Sequence, residues 1–169
     1  MSSFRVGIGY DAHAFAADRD LVLGGIAVEH ERGLAGHSDA DVLTHAVVDA
    51  LLGAAGWGDL GDWYPPDDPK LDGASSVAFL AEVAERLWRE GWRLVNLDTI
   101  VVAQEPRLAA QRARMRDCLA DHLGLERNRV SVKATTPDHL GAIGRAEGIA
   151  AQAIVLLEAP IGGEGASKP

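Results

Sequence analysis

The nine residues His37-Ser-Asp-Ala-Asp-Val-Leu-Thr-His45 put two imidazoles and two carboxylates at the entrance to a helix. From there Val42, Leu43, Ala46, Val47, Ala50, Leu51 and Ala54 recur at helical spacing, and the helix is predicted to run to about Gly56. Ser38 is placed to N-cap it, and Asp41 three residues later can close a variant of the capping box. Asp41, His45 and Asp49 then stack on another face, because residues four apart are neighbours on a helix. The free N–H groups and macrodipole of a helix N-terminus favour an anion. The stretch therefore predicts a phosphate site with a metal beside it.

The rest of the chain bounds that reading. Its 169 residues suit one domain with a substantial core, taken as 1–159, followed by a Gly-rich tail over 160–169 that is expected to be disordered. A composition of 47% hydrophobic and 24% charged residues excludes wholesale disorder. No apolar run approaches the roughly 20 residues of a membrane span, and Met1-Ser-Ser-Phe-Arg-Val lacks the pattern of a signal peptide. Cys118 is the single cysteine, so no intramolecular disulfide is possible. With His122 at i+4 it reads as a helix-core thiol, and a reducing, cytoplasmic location is expected. The net charge of −9, with no basic stripe, argues against nucleic acid. If such a protein binds a polyanion, metals, helix N-termini and a few basic side chains must supply the positive potential.

Taken in order, residues 4–15 read as a strand in which Val6, Ile8 and Tyr10 alternate with Gly7, Gly9 and Asp11. The small residues suggest close backbone approach to something. Leu21–Val28 is a hairpin turning at Gly24-Gly25. Residues 57–69, rich in Gly, Pro and Asp, form an ordered loop with carboxylates at its tip. A second helix starts at Ser75 or Ser76, buries Leu80, Val83, Ala84 and Leu87, and ends at Gly91. Trp92 to Ala103 is a strand. Pro106 suits the first turn of a third helix, which turns Leu108, Met115, Leu119 and Leu123 inward and stops at Gly124. Residues 129–136 form a strand with Val130, Val132 and Ala134 inward and Lys133 outward, followed by a tight segment over 137–144. Residues 149–159 are apolar on both faces, which places that strand centrally. The fold class is α+β: a mixed sheet covered on one face by helices, with self-association covering the other.

Asp11 and His13, two apart on an extended chain, point to the same side. With His45 they give two imidazoles and one carboxylate around an open fourth position, the stoichiometry of a reactive zinc site. The motifs extend along nearly the whole chain. They include Gly9-Tyr-Asp-Ala-His13, Leu23-Gly-Gly25, Gly36-His-Ser-Asp-Ala-Asp41 with His45, Asp49-Ala-Leu-Leu-Gly-Ala-Ala55, Gly58-Asp-Leu-Gly61, Ala103-Gln104, Val132-Lys-Ala-Thr-Thr136 and Gly144-Arg-Ala-Glu-Gly-Ile-Ala150. In these the sequence closely resembles the family of 2-C-methyl-D-erythritol 2,4-cyclodiphosphate synthases of the non-mevalonate isoprenoid pathway.

The resemblance implies a reaction. The 2-phosphate of 4-diphosphocytidyl-2-C-methyl-D-erythritol 2-phosphate attacks the β-phosphorus of the diphosphate, closing a cyclic diphosphate and releasing CMP. It implies Zn²⁺ on Asp11, His13 and His45, and Mg²⁺ or Mn²⁺ bridging phosphates to Asp138. It implies that His37 and Ser38 hold phosphate and methylerythritol, and that Asp59 and Gly61, with Tyr64, Asp67 and Asp68, hold the erythritol hydroxyls. Ala103, Gln104, Glu105, Pro106 and Arg107 would form a cytosine pocket for the neighbouring subunit of a homotrimer, largely by backbone. Thr135 and Thr136 would contact the nucleotide phosphates, with His37 and Thr136 near the transition state, and Lys133, Ala142 and Arg145 would complete the binding surface. Three positions depart from the family's habit: Asp138 where Glu is frequent, Ala142 where an aromatic is frequent, and Pro66 where Asp is common. Two other classes share these ligands. A zinc phosphohydrolase would release a linear product, and a non-catalytic trimeric binding protein would turn nothing over.

Overall fold

The computed structural model describes residues 3–65 and 68–160. Strand β1 (Phe4–Ala16) leads into the hairpin β2 (Leu21–Leu23) and β3 (Ile26–Val28), then the short β4 (Gly33–Leu34). Helix α1 (Val42–Ala55), the single turn α2 (Leu60–Trp63) and α3 (Ser76–Arg89) follow. Then come β5 (Arg93–Val102), α4 (Arg112–Leu123), β6 (Val130–Thr135), the turn α5 (Gly141–Gly144) and β7 (Gly148–Glu158). The main sheet has the order β4-β1-β7-β5-β6. β7 lies antiparallel between β1 and β5, as its two apolar faces predict, and β5 and β6 are parallel. The architecture is α+β, with the helices on one face of the sheet.

The alternation in β1 decides which face that is. Gly7 and Gly9 are buried, whereas Val6, Ile8 and Tyr10 are 68%, 60% and 65% exposed. A Cβ on Gly7 would sit 1.9 Å from the carbonyl oxygen of Ala50, and one on Gly9 2.0 Å from that of Ala46. Helix α1 therefore rests on bare strand backbone, which only glycine permits at these two positions. Its other contacts are apolar: Leu43, Val47, Leu51 and Leu52 are fully buried, each worth about 1.5–3 kcal/mol. The larger side chains of β1 fall on the opposite, helix-free face with Ile154 of β7.

The hairpin turns at Gly24 and Gly25 with φ of 59° and 75°, as expected. Other elements correct the sequence reading. Helix α1 begins at Val42, capped by Asp41 and not by Ser38. Ala40 takes φ of 55°, so no helical turn can pass through it, and the Ser38 hydroxyl instead accepts from the Ala40 N–H. Helix α4 starts at Arg112, well after Pro106, because Leu108 is drawn into the core and a Gln111 N–H to Leu108 carbonyl bond closes a turn ahead of the helix. The stretch 57–69 contains the turn α2, fixed by a capping box between Asp59 and Asp62. The tail from Ile161 onward lies outside the described residues.

Candidate metal centre

The same alternation that buries Gly7 and Gly9 carries Asp11 and His13 along one edge of that face. Ala50 lies over Gly7 and Ala46 over Gly9, so α1 runs back along β1 and its first turn hangs His45 above Asp11. The three ligand atoms converge. His13 Nε2 lies 2.8 Å from Asp11 Oδ2, His45 Nδ1 lies 3.0 Å from the same oxygen, and the two ring nitrogens are 3.3 Å apart. A tetrahedral zinc with bonds of about 2.0–2.1 Å needs ligand atoms roughly 3.3 Å from one another. No other cluster of three such groups occurs among the described residues.

The donor chemistry suits a cation. His13 Nδ1 is 2.5 Å from the carbonyl oxygen of Ala35, which can only accept, so Nδ1 carries the hydrogen and Nε2 turns its lone pair inward. Burial disfavours the charged form of Asp11, but the hydrogen bonds and charges of His13 and His45 outweigh it and hold the carboxyl well below the usual range. The hydrogen bond to Asp11 raises the His13 pKa, against the opposing effect of burial. The site thus holds an anionic carboxylate and an imidazole that competes for a proton unless a metal replaces it.

The ligands open into a cavity of about 290 Å³, also lined by Gly36, His37, Ser38, Leu60, Gly61, Tyr64, Leu71 and Phe79. Tyr64 stacks on Phe79 at 4.2 Å and donates to Glu82, and its phenol pKa is raised, by burial first and then by that carboxylate. Asp59 caps α2 at the rim, and Asp68 lies in the turn before Pro69. Asp67 and Pro66 fall outside the described residues. Arg19 was not singled out by the sequence: its guanidinium donates to the carbonyls of Gly36 and Ser38 and so grips the loop on both sides of His37.

A second cavity, of about 350 Å³, is lined by Ala103, Gln104, Pro106, Arg107, Leu108, Ala109, Arg112, Ala134, Thr135 and Thr136. It shares no lining residue with the first. The pairings Ala12–Ala150, Ala150–Val102 and Val102–Thr135 put both cavities at the same end of the sheet, three strand spacings or about 14 Å apart. Gln104 accepts from the His139 N–H, while Glu105 turns away to an ion pair with Arg32 at 2.7 Å. Asp138, at φ of 48°, accepts from the Thr136 hydroxyl and stays outside the three-ligand cluster. Lys133 pairs with Asp98 at 2.6 Å on the helix-free face, Arg145 pairs with Glu147, and Ala142 is exposed on α5.

The pattern that defines the YgbB family matches residues 4–158. The chain belongs to the YgbB family. A protein of Nostoc sp. named 2-C-methyl-D-erythritol 2,4-cyclodiphosphate synthase is 54% identical over 155 residues, spanning 92% of this chain and 94% of the relative. One of the same name from Thermosynechococcus vestitus is 52% identical over 94% of this chain and 98% of its own length. Among solved structures, the bifunctional IspDF of Campylobacter jejuni superposes with a TM-score of 0.90 at 40% identity, over 94% of this chain and 43% of that one. A CDP complex of IspF from Plasmodium falciparum superposes with a TM-score of 0.82 at 29% identity, over 94% and 98%.

One expectation at this YgbB-family site is corrected. The N-terminus of α1 is not open to a phosphate, because Asp41 fills it. The fully buried carboxylate accepts from the Thr44 N–H and hydroxyl and from the N–H groups of Gly24 and Gly25. The sequence marked Asp41 as a capping partner, but only the fold reveals that the hairpin turn claims its other lone pairs.

Proposed function

We propose that this chain converts 4-diphosphocytidyl-2-C-methyl-D-erythritol 2-phosphate to 2-C-methyl-D-erythritol 2,4-cyclodiphosphate and CMP, as a phosphorus-oxygen lyase of non-mevalonate isoprenoid synthesis. The observation that carries the proposal is the Asp11–His13–His45 cluster opening into a cavity of about 290 Å³, in a chain 54% identical to a synthase of that name. The donor set suits Zn²⁺, which would supply positive charge to phosphate oxygens. The nucleophile is a phosphate already ionised at neutral pH, so the protein need not supply a general base. Its oxygen forms the new bond to the β-phosphorus, the bond from that phosphorus to the oxygen bridging it to the α-phosphorus breaks, and CMP leaves with the electron pair.

What remains for the side chains is positioning and charge neutralisation. In this reading His37 and Ser38 hold the attacking phosphate and the methylerythritol. Asp59, Gly61, Tyr64, Asp67 and Asp68 hold its hydroxyls. Ala103 to Arg107 receive cytosine, Thr135 and Thr136 hold the nucleotide phosphates, and Asp138 faces Mg²⁺ or Mn²⁺. Residues 1–159 act as one cytoplasmic catalytic domain. Assembly as a homotrimer, with each site shared between subunits, is supported by two features. The helix-free face leaves Val6, Ile8, Tyr10 and Ile154 contiguous and exposed, as surfaces built for association do. The two cavities also have separate walls within one chain. Lys133, Ala142 and Arg145 complete the substrate-binding surface in this reading. Mass spectrometry of the reaction with the cytidylated substrate tests the function: CMP with the cyclic diphosphate is expected. A linear product, heavier by one water, would make the chain a phosphohydrolase, and no turnover would leave a binding protein.

A further inference from the structure

His45 is gripped from behind. Its Nδ1 faces Asp11 and His13, while its Nε2 lies 2.8 Å from Ser76 Oγ and 3.2 Å from Ser38 Oγ. Ser76 opens α3 and is fully buried. Its hydroxyl donates to Asp39 Oδ1, and its backbone N–H donates to Asp39 Oδ2 at 3.0 Å. Asp39 thereby caps α3 from another segment, in place of Ser75, whose side chain makes no cap bond.

The proton count along this chain of contacts has one solution. An ionised carboxylate only accepts, so the Ser76 hydroxyl hydrogen goes to Asp39. Ser76 Oγ is left with lone pairs toward His45, so Nε2 must carry the hydrogen and donate it. A neutral imidazole has a single N–H, which leaves Nδ1 bare and facing the cluster. His13 presents the opposite nitrogen, Nε2, because Ala35 claims its Nδ1 hydrogen. The two histidines are thus held in opposite tautomers by different partners, and both lone pairs meet at one point.

We propose that Ser76 and Asp39 are positioning residues of the metal centre, a buried relay that fixes the tautomer and ring plane of His45 and ties the start of α3 to the site. The inference rests on the metal reading and deepens it. Partners behind a ligating histidine raise its basicity, and losing one costs roughly 10–100-fold in metal affinity. Ser76→Ala deletes one buried oxygen and leaves Nε2 with the more distant Ser38 hydroxyl alone. Asp39→Asn removes the charge that orders the hydroxyl.

The test is zinc affinity of the full chain, measured by competition with a chromophoric chelator, together with the visible spectrum of the Co²⁺-loaded protein and the melting temperature of the metal-free protein. Ser76→Ala and Asp39→Asn should each weaken zinc binding by roughly 10–100-fold. They should also shift the Co²⁺ bands and lower metal-free melting by only a few degrees, the cost of one buried hydrogen bond, and Ser76→Thr, which keeps the hydroxyl, should recover most of the affinity. Wild-type affinity and spectrum in Ser76→Ala would overturn the relay while leaving the zinc site standing. A loss of affinity matched by a collapse of metal-free melting would reduce Ser76 to a structural role, and so would overturn it too. A wild-type protein that takes up no zinc would refute the metal centre itself and the relay with it.

Discussion

Gly9→Ala tests whether the contact between α1 and β1 sets the spacing of the metal ligands. The added Cβ would lie 2.0 Å from the carbonyl oxygen of Ala46 and 2.8 Å from the backbone N of Ala50. Ordinary contact begins at 3.4 Å, so strand and helix must part by about 1.4 Å (3.4 − 2.0) at that point. His45 immediately precedes Ala46, and Asp11 follows Gly9 by two residues on the same face of β1. The His45 Nδ1 distances of 3.0 Å to Asp11 and 3.3 Å to His13 would therefore grow toward about 4 Å, past the edge of a tetrahedral zinc site. Rotation of the ring cannot recover this, because Ser76 holds Nε2.

Overpacking of this kind costs about 1–3 kcal/mol. In a chain of this size that lowers Tm by roughly 2–12 °C. Zinc should bind at least about tenfold more weakly, equivalent to about 1.4 kcal/mol. Gly53→Ala is the control: it lies on α1 with nothing within 4 Å of its added Cβ, and should raise stability by about 0.5–1 kcal/mol with zinc affinity unchanged. Calorimetry of the metal-free proteins and zinc competition titrations read both effects. Unchanged Tm and zinc affinity in Gly9→Ala would refute the idea that bare backbone at Gly9 fixes the geometry of the site.

Three further outcomes are expected. Ile8→Asp puts a carboxylate in the middle of the helix-free face and should reduce the mass in light scattering from about three times the 17.9 kDa chain to that of one chain, with loss of turnover; equal masses for variant and wild type would remove this face from the assembly. Asp138→Asn should leave zinc content intact, lower turnover and raise the Mg²⁺ concentration at half-activity, whereas an unchanged midpoint would reassign Asp138 to holding the turn through Thr136. Because Asp11 raises the His13 pKa, the metal-free site keeps its proton to higher pH and zinc must displace it. Affinity should therefore fall as pH drops through the raised value and below it, and calorimetry in buffers of different ionisation enthalpy should detect proton release; affinity constant between about pH 5 and 8 would contradict this.

The parts legible in the sequence were those carried by local period. A strand period of two joins Asp11 to His13, a double-faced apolar run marks β7 as central, and Gly-Gly marks the hairpin. Period alone says that the faces of β1 differ, but not which one is covered. Here the apolar side is exposed and the glycine side buried, because α1 can approach only where no Cβ stands. The Ser76–Asp39 relay joins residues 37 positions apart, and the two-residue β4 is too short to show a period. The late start of α4 was equally hidden, since burial of Leu108 overrides a local sequence that reads as helical.

Asp41 carries the electrostatic argument one step further. An acidic chain that handles a polyanion could have used the α1 N-terminus as its anion site, and the sequence suggested as much. Instead that end is neutralised internally by a fully buried carboxylate with four donors, which also locks the hairpin turn onto the helix that carries His45. Removing Asp41 to free those donors would leave Gly24 and Gly25 N–H groups unpaired, so the site cannot trade rigidity for a phosphate cradle at no cost. Arg19 donates to the carbonyls of Gly36 and Ser38, which are neutral and leave its positive charge acting on His13, and a cation on Asp11, His13 and His45 would add to that charge in the first cavity. The second cavity differs, with Arg107 and Arg112 in its own wall. On the function proposed above, charge neutralisation would be divided by position: a metal with Arg19 beside the reacting phosphates, and Arg107 and Arg112 beside the nucleotide.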